Sequence, residues 1–175
     1  MSHNSPKSPL LPVASFLVAA LLAPALPAQS AANRSVYDFC ARRLGQQVGD
    51  GICQTLVDAA LVSAGLPAGH RGREVWSIAN TPGGVRIRGD YRNVSRGDII
   101  WMRDIFPDRY RFAGTPDPLL QRGNRQDNHI GIVESIDADG VRYLNQNAGR
   151  QKTVRTDYFP FSEIGMLGEI IIYRP

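Results

Sequence analysis

The order of the periodic patterns along the chain constrains its fold more than any other feature, because helical patterns come first and strand patterns follow. An earlier pattern predicts a helix with Ser35 as N-cap and Asp38 at its third position, ending at Gly45. The strongest pattern is an apolar stripe at helical spacing that ends before Gly65 and Pro67 and comprises Cys53, Leu56, Val57, Ala60, Leu61 and Ala64. Both predicted helices therefore lie in the first half of the chain.

Strand patterns dominate the rest of the chain. The five predicted strands are Ile99–Met102, His129–Ile136, Val141–Asn147, Thr153–Tyr158 and Gly168–Tyr173, the second and third forming a hairpin. Residues 67–95 are rich in Gly, Arg and Pro and predict an irregular connection. Helices followed by strands are typical of an α+β fold, so we expect N-terminal helices packed on a small antiparallel sheet.

A long polar insertion separates the first two predicted strands. Residues 103–128 contain three prolines and no strong periodic pattern. Because the segment is too long to be a simple connector, it predicts a rim or lid beside a site.

Residues 1–30 have the pattern of an export signal. A polar start precedes an apolar stretch from Leu10 to Leu26, and the small residues that follow predict cleavage near Ala31 or Asn33. A membrane-spanning helix is the alternative, but prolines interrupt an apolar run that is already short of the roughly 20 residues a bilayer requires. We therefore expect one domain over residues 31–175, secreted or periplasmic, with no stable membrane insertion after cleavage.

The modest excess of basic residues excludes one class of partner. The net charge is +4, and the basic residues are almost all arginines scattered along the chain. A nucleic-acid-binding surface requires a basic stripe with interleaved aromatic residues, which the sequence lacks. We expect no nucleic-acid partner.

Two cysteines in an exported chain leave two interpretations open. In an oxidising compartment, a disulfide between Cys40 and Cys53 is the default expectation. Position favours the other interpretation, because Cys40 lies on an apolar helix face while Cys53 lies in the first turn of the second predicted helix. There, unpaired N–H groups and the helix dipole favour a thiolate. Cys53 is thus the candidate nucleophile, with Asp50 as the predicted cap of its helix.

A cysteine nucleophile requires a base, and His129 is the candidate. His70 lies in the Gly-rich connection, whereas His129 opens a predicted core strand that can hold its ring. If a three-residue loop ends at Gly140 in the left-handed conformation, Asn145 and Asn147 share a face with His129. That register brings Asn147 nearer, while an offset shorter by two residues brings Asn145 nearer, and the sequence leaves both open.

Four segments together resemble the papain-like bacterial hydrolases of the CHAP and NlpC/P60 type. They are Gly51-Ile52-Cys53, Arg96-Gly97-Asp98-Ile99-Ile100, His129-Ile130-Gly131-Ile132-Val133 and Asn145-Gln146-Asn147. The resemblance covers most of the chain after the export signal. It implies a papain-like fold, hydrolysis of an amide bond in the peptide part of peptidoglycan, and no metal or organic cofactor.

The resemblance also implies roles for single residues and shows two departures. Cys53 matches the nucleophile, and Asn145 or Asn147 the residue that orients the base. CHAP-type enzymes have Glu where this chain has Asn145 and Gln where it has Ile52, although an Asn orienter is similar to papain. Gln47, six residues before Cys53 as in papain, is the candidate oxyanion donor beside the Cys53 backbone N–H. The departures favour a second hypothesis, a non-catalytic exported module that binds wall polymer or another partner.

Overall fold

Two helices pack against a seven-stranded antiparallel sheet in the computed structural model, which describes residues 29–103, 128–147, 151–164 and 167–175. The helices are α1 (Ala31–Ala41) and α2 (Cys53–Ser63). The strands are β1 (Arg73–Thr81), β2 (Gly84–Gly89), β3 (Ile99–Arg103), β4 (His129–Ile136), β5 (Gly140–Asn145), β6 (Arg155–Pro160) and β7 (Glu169–Arg174), with short 3-10 helices at Tyr91–Asn93 and Phe161–Glu163. The predicted α+β arrangement of N-terminal helices on an antiparallel sheet is confirmed. The predicted export signal up to residue 28 and the predicted insertion from 104 to 127 lie outside the described residues.

Helix α1 begins earlier than the sequence predicted. Ser30, and not Ser35, is the N-cap, because its hydroxyl oxygen accepts a hydrogen bond from the Asn33 N–H at 3.0 Å. The buried Asn33 side chain also donates to the Asp98 carboxylate at 2.6 Å. This contact with the turn before β3 stabilises the earlier start of the helix.

Strands β1 and β2 form a hairpin where the sequence predicted an irregular connection. Val85 and Ile87 alternate with Arg86 and Arg88 in β2, and the whole of β2 is exposed. The prediction was wrong because both faces of this edge strand are solvated, so its alternation does not separate a core face from a polar one. The Gly-rich turn at 83–84 was the usable hairpin signal.

The apolar core has two parts, one on each face of the sheet. The helix-side cluster joins α1 and α2 to one sheet face and includes Val36, Leu56, Leu61, Ile99, Ile130, Ile132 and Leu144. The other cluster covers the opposite face and includes Trp76, Ile100, Met102, Val133, Tyr143, Phe159 and Ile172. Burial of both faces of the central strands fixes their register.

The order of strands in the sheet is β2-β1-β7-β3-β4-β5-β6. Because β4 and β5 are antiparallel neighbours, the first residue of β4 and the last residue of β5 lie at the same end of the sheet. Helix α2 contacts β4. The fold therefore brings His129 and Asn145 to one end of the sheet, and α2, which begins at Cys53, contacts the strand that His129 opens.

Candidate active site

A tight loop before α2 determines the position of Cys53. Gly49 and Gly51 have φ values of 56° and 82°, a left-handed conformation that favours glycine. Asp50 is not the helix cap that the sequence predicted, because the N-cap is Ile52. The Asp50 side chain instead accepts a hydrogen bond from the Ile52 N–H at 3.0 Å. Cys53 is the first residue of the helix and is 9% exposed.

The fully buried Gln146 holds this loop against the end of β5. Its Nε2 donates to the carbonyl oxygens of Val48 and Ile52 at 2.9 and 2.7 Å, and its Oε1 accepts from the Val48 N–H at 3.1 Å. Ile52 precedes Cys53 in the chain, and Gln146 follows Asn145. One side chain therefore fixes the start of α2 relative to β5.

His129 begins a polar chain that runs across three strands. Its Nε2 lies 3.1 Å from Asn145 Oδ1, and Asn145 Nδ2 donates to Asp157 Oδ2 at 2.9 Å. The same Asp157 oxygen accepts from Arg155 Nε, also at 2.9 Å. His129 and Asn145 are buried, and Asp157 and Arg155 are partly exposed, so the chain leads from the interior to the surface.

This chain determines which nitrogen of His129 carries the proton. A carboxylate can only accept hydrogen bonds, so the Asn145 amide must direct its NH2 group to Asp157 and its oxygen to His129. An amide oxygen also only accepts, so His129 Nε2 must donate. In the neutral ring, Nδ1 is then the basic nitrogen.

The sulfur of Cys53 lies against the start of β4. The backbone N–H of Ile130, the residue after His129, faces the sulfur, as do the N–H groups of Cys53 and Gln54 in the first turn of α2. Burial nevertheless raises the pKa of the Cys53 thiol above its ordinary value of 9.0, and these N–H groups oppose the rise. The first helical turn supplies the donors that the sequence predicted, but desolvation of the thiolate exceeds their effect.

Burial has the complementary effect on the base. It lowers the pKa of His129 below 6.5, while the hydrogen bond that the ring donates to Asn145 and the charge of Asp157 act in the opposite direction. The raised thiol pKa favours the neutral form of Cys53, and the lowered imidazole pKa favours the neutral form of His129.

The second cysteine has a different environment. Cys40 lies near the end of α1 with no exposed surface, and burial raises the pKa of its thiol to about 12. Both cysteines are free thiols in the structure.

Two of the predicted site residues lie apart from this arrangement. Asn147 is exposed with φ 63°, and its backbone N–H donates to the Gln151 carbonyl oxygen at 3.0 Å. Gln47 is exposed, and its side-chain NH2 group donates to the carbonyl oxygen of Gly49 at 3.0 Å. Of the two asparagines left open by the sequence, Asn145 is the one in contact with His129, and the oxyanion role of Gln47 stays a prediction.

No group of three or more His, Cys, Asp or Glu side chains in the described part of the chain could hold a metal ion. Within the same residues, no helix is both long and apolar enough to cross a membrane.

Comparison with known proteins decides the family. Residues 27–175 match the AIM3/BBC1 cysteine proteinase-fold domain. The chain belongs to this family. Two crystal structures of Ly7917, one of them with the hydrolysing product of MDP, are similar to this AIM3/BBC1 domain at 17% and 16% identity with a TM-score of 0.45. Each alignment covers 82% of this chain and 62% of that chain. No curated protein matches the chain.

Two residues of the site in this AIM3/BBC1 domain escaped prediction. Asp157 lies in a polar segment of β6, and only the pairing of β5 with β6 brings it beside Asn145. Gln146 was part of the motif that carried the resemblance, but its role in holding the loop before Cys53 depends on contacts 94 and 98 residues apart in the chain. No local pattern could reveal either contact.

Proposed function

We propose that this AIM3/BBC1 domain is a cysteine peptidase or amidase with Cys53 as nucleophile, His129 as base and Asn145 as the residue that orients His129. The observation that carries the proposal is the polar chain from Arg155 to His129, which leaves Nδ1 as the basic nitrogen. A single hydrogen bond would satisfy a buried structural histidine. Here Arg155 and Asp157 orient the Asn145 amide, and the amide in turn determines the tautomer of the ring.

The reaction runs in two steps with all atoms accounted for. The Cys53 thiol proton moves to His129 Nδ1 as the sulfur attacks the carbonyl carbon of an amide, and the C–N bond breaks as the amine leaves with that proton. The resulting thioester is attacked by water, which gives a proton to His129, and the carboxylic acid is released while the proton returns to sulfur. The Cys53 backbone N–H is one donor for the oxyanion, and Gln47 is the candidate for a second.

A neutral resting pair is compatible with this chemistry. The base takes the thiol proton only when a carbonyl carbon is in position, so the charged thiolate never has to persist in a buried environment. Asn145 can hold the imidazolium that forms but cannot stabilise it as a carboxylate would, and Asp157 behind it supplies the missing negative charge.

For the substrate, we propose an amide in the peptide part of peptidoglycan. The support is the resemblance of the four motif segments to CHAP and NlpC/P60 hydrolases. We also propose that the domain acts outside the cytoplasm after removal of residues 1–30. Intact-mass analysis of protein purified from the source cells tests this point, with an N-terminus near Ala31 or Asn33 as the expected result.

The catalytic proposal is tested with purified peptidoglycan and its soluble stem peptides, using mass spectrometry to detect new amino and carboxyl termini. Cys53→Ala should abolish hydrolysis, and Cys40→Ala serves as the matched control that removes the other thiol. Equal hydrolysis by the wild type and Cys53→Ala would contradict the proposal. Hydrolysis of unrelated peptides but not of peptidoglycan would retain the enzyme and reject the substrate.

The raised thiol pKa and the low exposure of Cys53 favour a second candidate, a non-catalytic module that binds wall polymer. This candidate predicts that the wild type co-sediments with insoluble peptidoglycan and releases no fragments. It also predicts that Cys53→Ala binds as tightly as the wild type. The first candidate predicts fragments from the wild type alone.

A further inference from the structure

A concave site lies on the half of the sheet formed by β1, β2, β3 and β7. It is a cavity of about 390 Å³ whose lining includes Ser77, Ala79, Arg86, Arg88, Arg103 and Glu169. Its volume is in the range of pockets that hold small ligands. None of its lining residues belongs to the candidate active site.

The cavity exists because β1 carries small side chains between strands that carry long ones. Arg86 pairs with Ala79, Ala79 with Glu169, and Glu169 with Arg103, so these four residues form one row across the sheet. Residues paired across strands point to the same face. Ala79 is therefore the floor of the cavity, with Arg86 as one wall and the other two residues of the row as the opposite wall.

Ser77 and Arg88 extend the cavity by a second row. Ser77 pairs with Arg88, two residues along each strand from the first row. A two-residue step along a strand is about 7 Å, so Arg86 and Arg88 present two guanidinium groups from neighbouring points of the same wall.

The two walls differ in charge. In the described part of the chain, no carboxylate pairs with Arg86 or Arg88, and both residues are exposed. On the opposite wall, Glu169 Oε2 accepts from Arg103 at 2.6 Å. Glu169 is a carboxylate with a second oxygen, which can accept a further hydrogen bond.

We propose that this cavity binds a carboxylate-bearing amino acid or short acidic peptide. Its carboxylate pairs with the guanidinium groups of Arg86 and Arg88, which match carboxylate geometry. Its ammonium or amide N–H group donates to Glu169 across the small floor at Ala79. A simple oxyanion would satisfy the arginine wall and leave Glu169 repelling it. The proposal does not rest on the chemistry of Cys53.

The test uses three probes on the Cys53→Ala protein, so that hydrolysis cannot interfere. Glutamate has both carboxylate and ammonium groups, glutarate lacks the ammonium group, and inorganic phosphate is a plain oxyanion. Binding is followed by backbone amide chemical shifts of Ser77 and Ala79 during titration into the tens of millimolar. Arg86→Gln/Arg88→Gln is compared with Arg34→Gln, a control at an exposed arginine of α1.

Glutamate should saturate the shifts at lower concentration than glutarate or phosphate, and Arg86→Gln/Arg88→Gln should weaken its binding by about tenfold or more. Arg34→Gln should bind as the parent does. Phosphate binding as tight as glutamate would overturn the ligand class in favour of a general oxyanion site. No saturable shift with any probe, or an equal loss in Arg34→Gln, would overturn the site itself.

Discussion

Removal of the Asp157 carboxylate should change the tautomer of His129 through the Asn145 amide, which is hydrogen-bonded to both residues. Asp157 Oδ2 accepts from both Asn145 Nδ2 and Arg155 Nε at 2.9 Å, and Asn145 and Arg155 are directly paired across β5 and β6. In Asp157→Ala, the Arg155 guanidinium loses this acceptor and lies beside the Asn145 amide. We expect the amide to turn over, giving its oxygen to Arg155 and its NH2 group to His129.

The size of the effect follows from the new hydrogen bond. A hydrogen bond to a charged group contributes about 1.5 to 3 kcal/mol, which favours the turned amide by roughly tenfold to a hundredfold. An NH2 group facing Nε2 requires the tautomer with the proton on Nδ1, which cannot take the thiol proton. Hydrolysis, measured as kcat/KM, should therefore fall by about tenfold to a hundredfold while the fold persists.

Two measurements separate this mechanism from simple destabilisation. Ring 15N shifts should report Nε2–H in the wild type and Nδ1–H in Asp157→Ala. Because Arg155 drives the change, Asp157→Ala/Arg155→Ala should be less impaired than Asp157→Ala alone. Asp90→Ala is the matched control, because Asp90 and Arg92 form an ion pair with the same spacing in the chain, and this variant should leave hydrolysis unchanged. A wild-type tautomer in Asp157→Ala would refute the reasoning.

Three further predictions concern pH and stability. Because burial lowers the pKa of His129 and raises that of Cys53, the rate plateau should extend below pH 6.5 and above pH 9.0; limbs inside that range would contradict the neutral pair. Gln146→Ala should lower the free energy of unfolding by about 2 to 3 kcal/mol in urea titrations, since it removes three hydrogen bonds between a buried side chain and the backbone, and it should reduce kcat as well. Asp98→Ala should cost about 3 to 5 kcal/mol by the same measurement, because the fully buried Asp98 carboxylate accepts from the Asn33 side chain, the Ser95 N–H and the Arg174 guanidinium, and a loss below 1 kcal/mol would count against that network.

The sequence predicted the parts of the fold whose signals are local. The apolar stripe from Cys53 and the strand that His129 opens are patterns within a few residues, and both elements start where they were expected. The β1–β2 hairpin was missed because an edge strand exposed on both faces carries no core face. The α1 cap was misplaced because Asn33 is held by Asp98, 65 residues further along the chain.

The choice between Asn145 and Asn147 shows why register escaped the sequence. The predicted three-residue loop would have paired residues whose numbers sum to 278, such as Asp137 with Val141. In the structure the Asp137 N–H donates to the Gly140 carbonyl oxygen and Ile136 pairs with Val141, so the turn has two residues and the sum is 277. That pairing alone would turn Asn145 to the face opposite His129, because one step of register exchanges the faces. A β-bulge at Glu134, between the pairs of Val133 and Ser135, inserts one extra residue into β4 and restores the shared face. The net offset is two residues shorter than the predicted one and places Asn145 diagonally across from His129, while Asn147 lies past the end of β5 in the left-handed conformation, so Asn145 is the asparagine that meets the ring. The shorter turn and the bulge thus compensate each other, and together they place Asn145 on the face of His129. Neither glycine nor proline marks the bulge in the sequence.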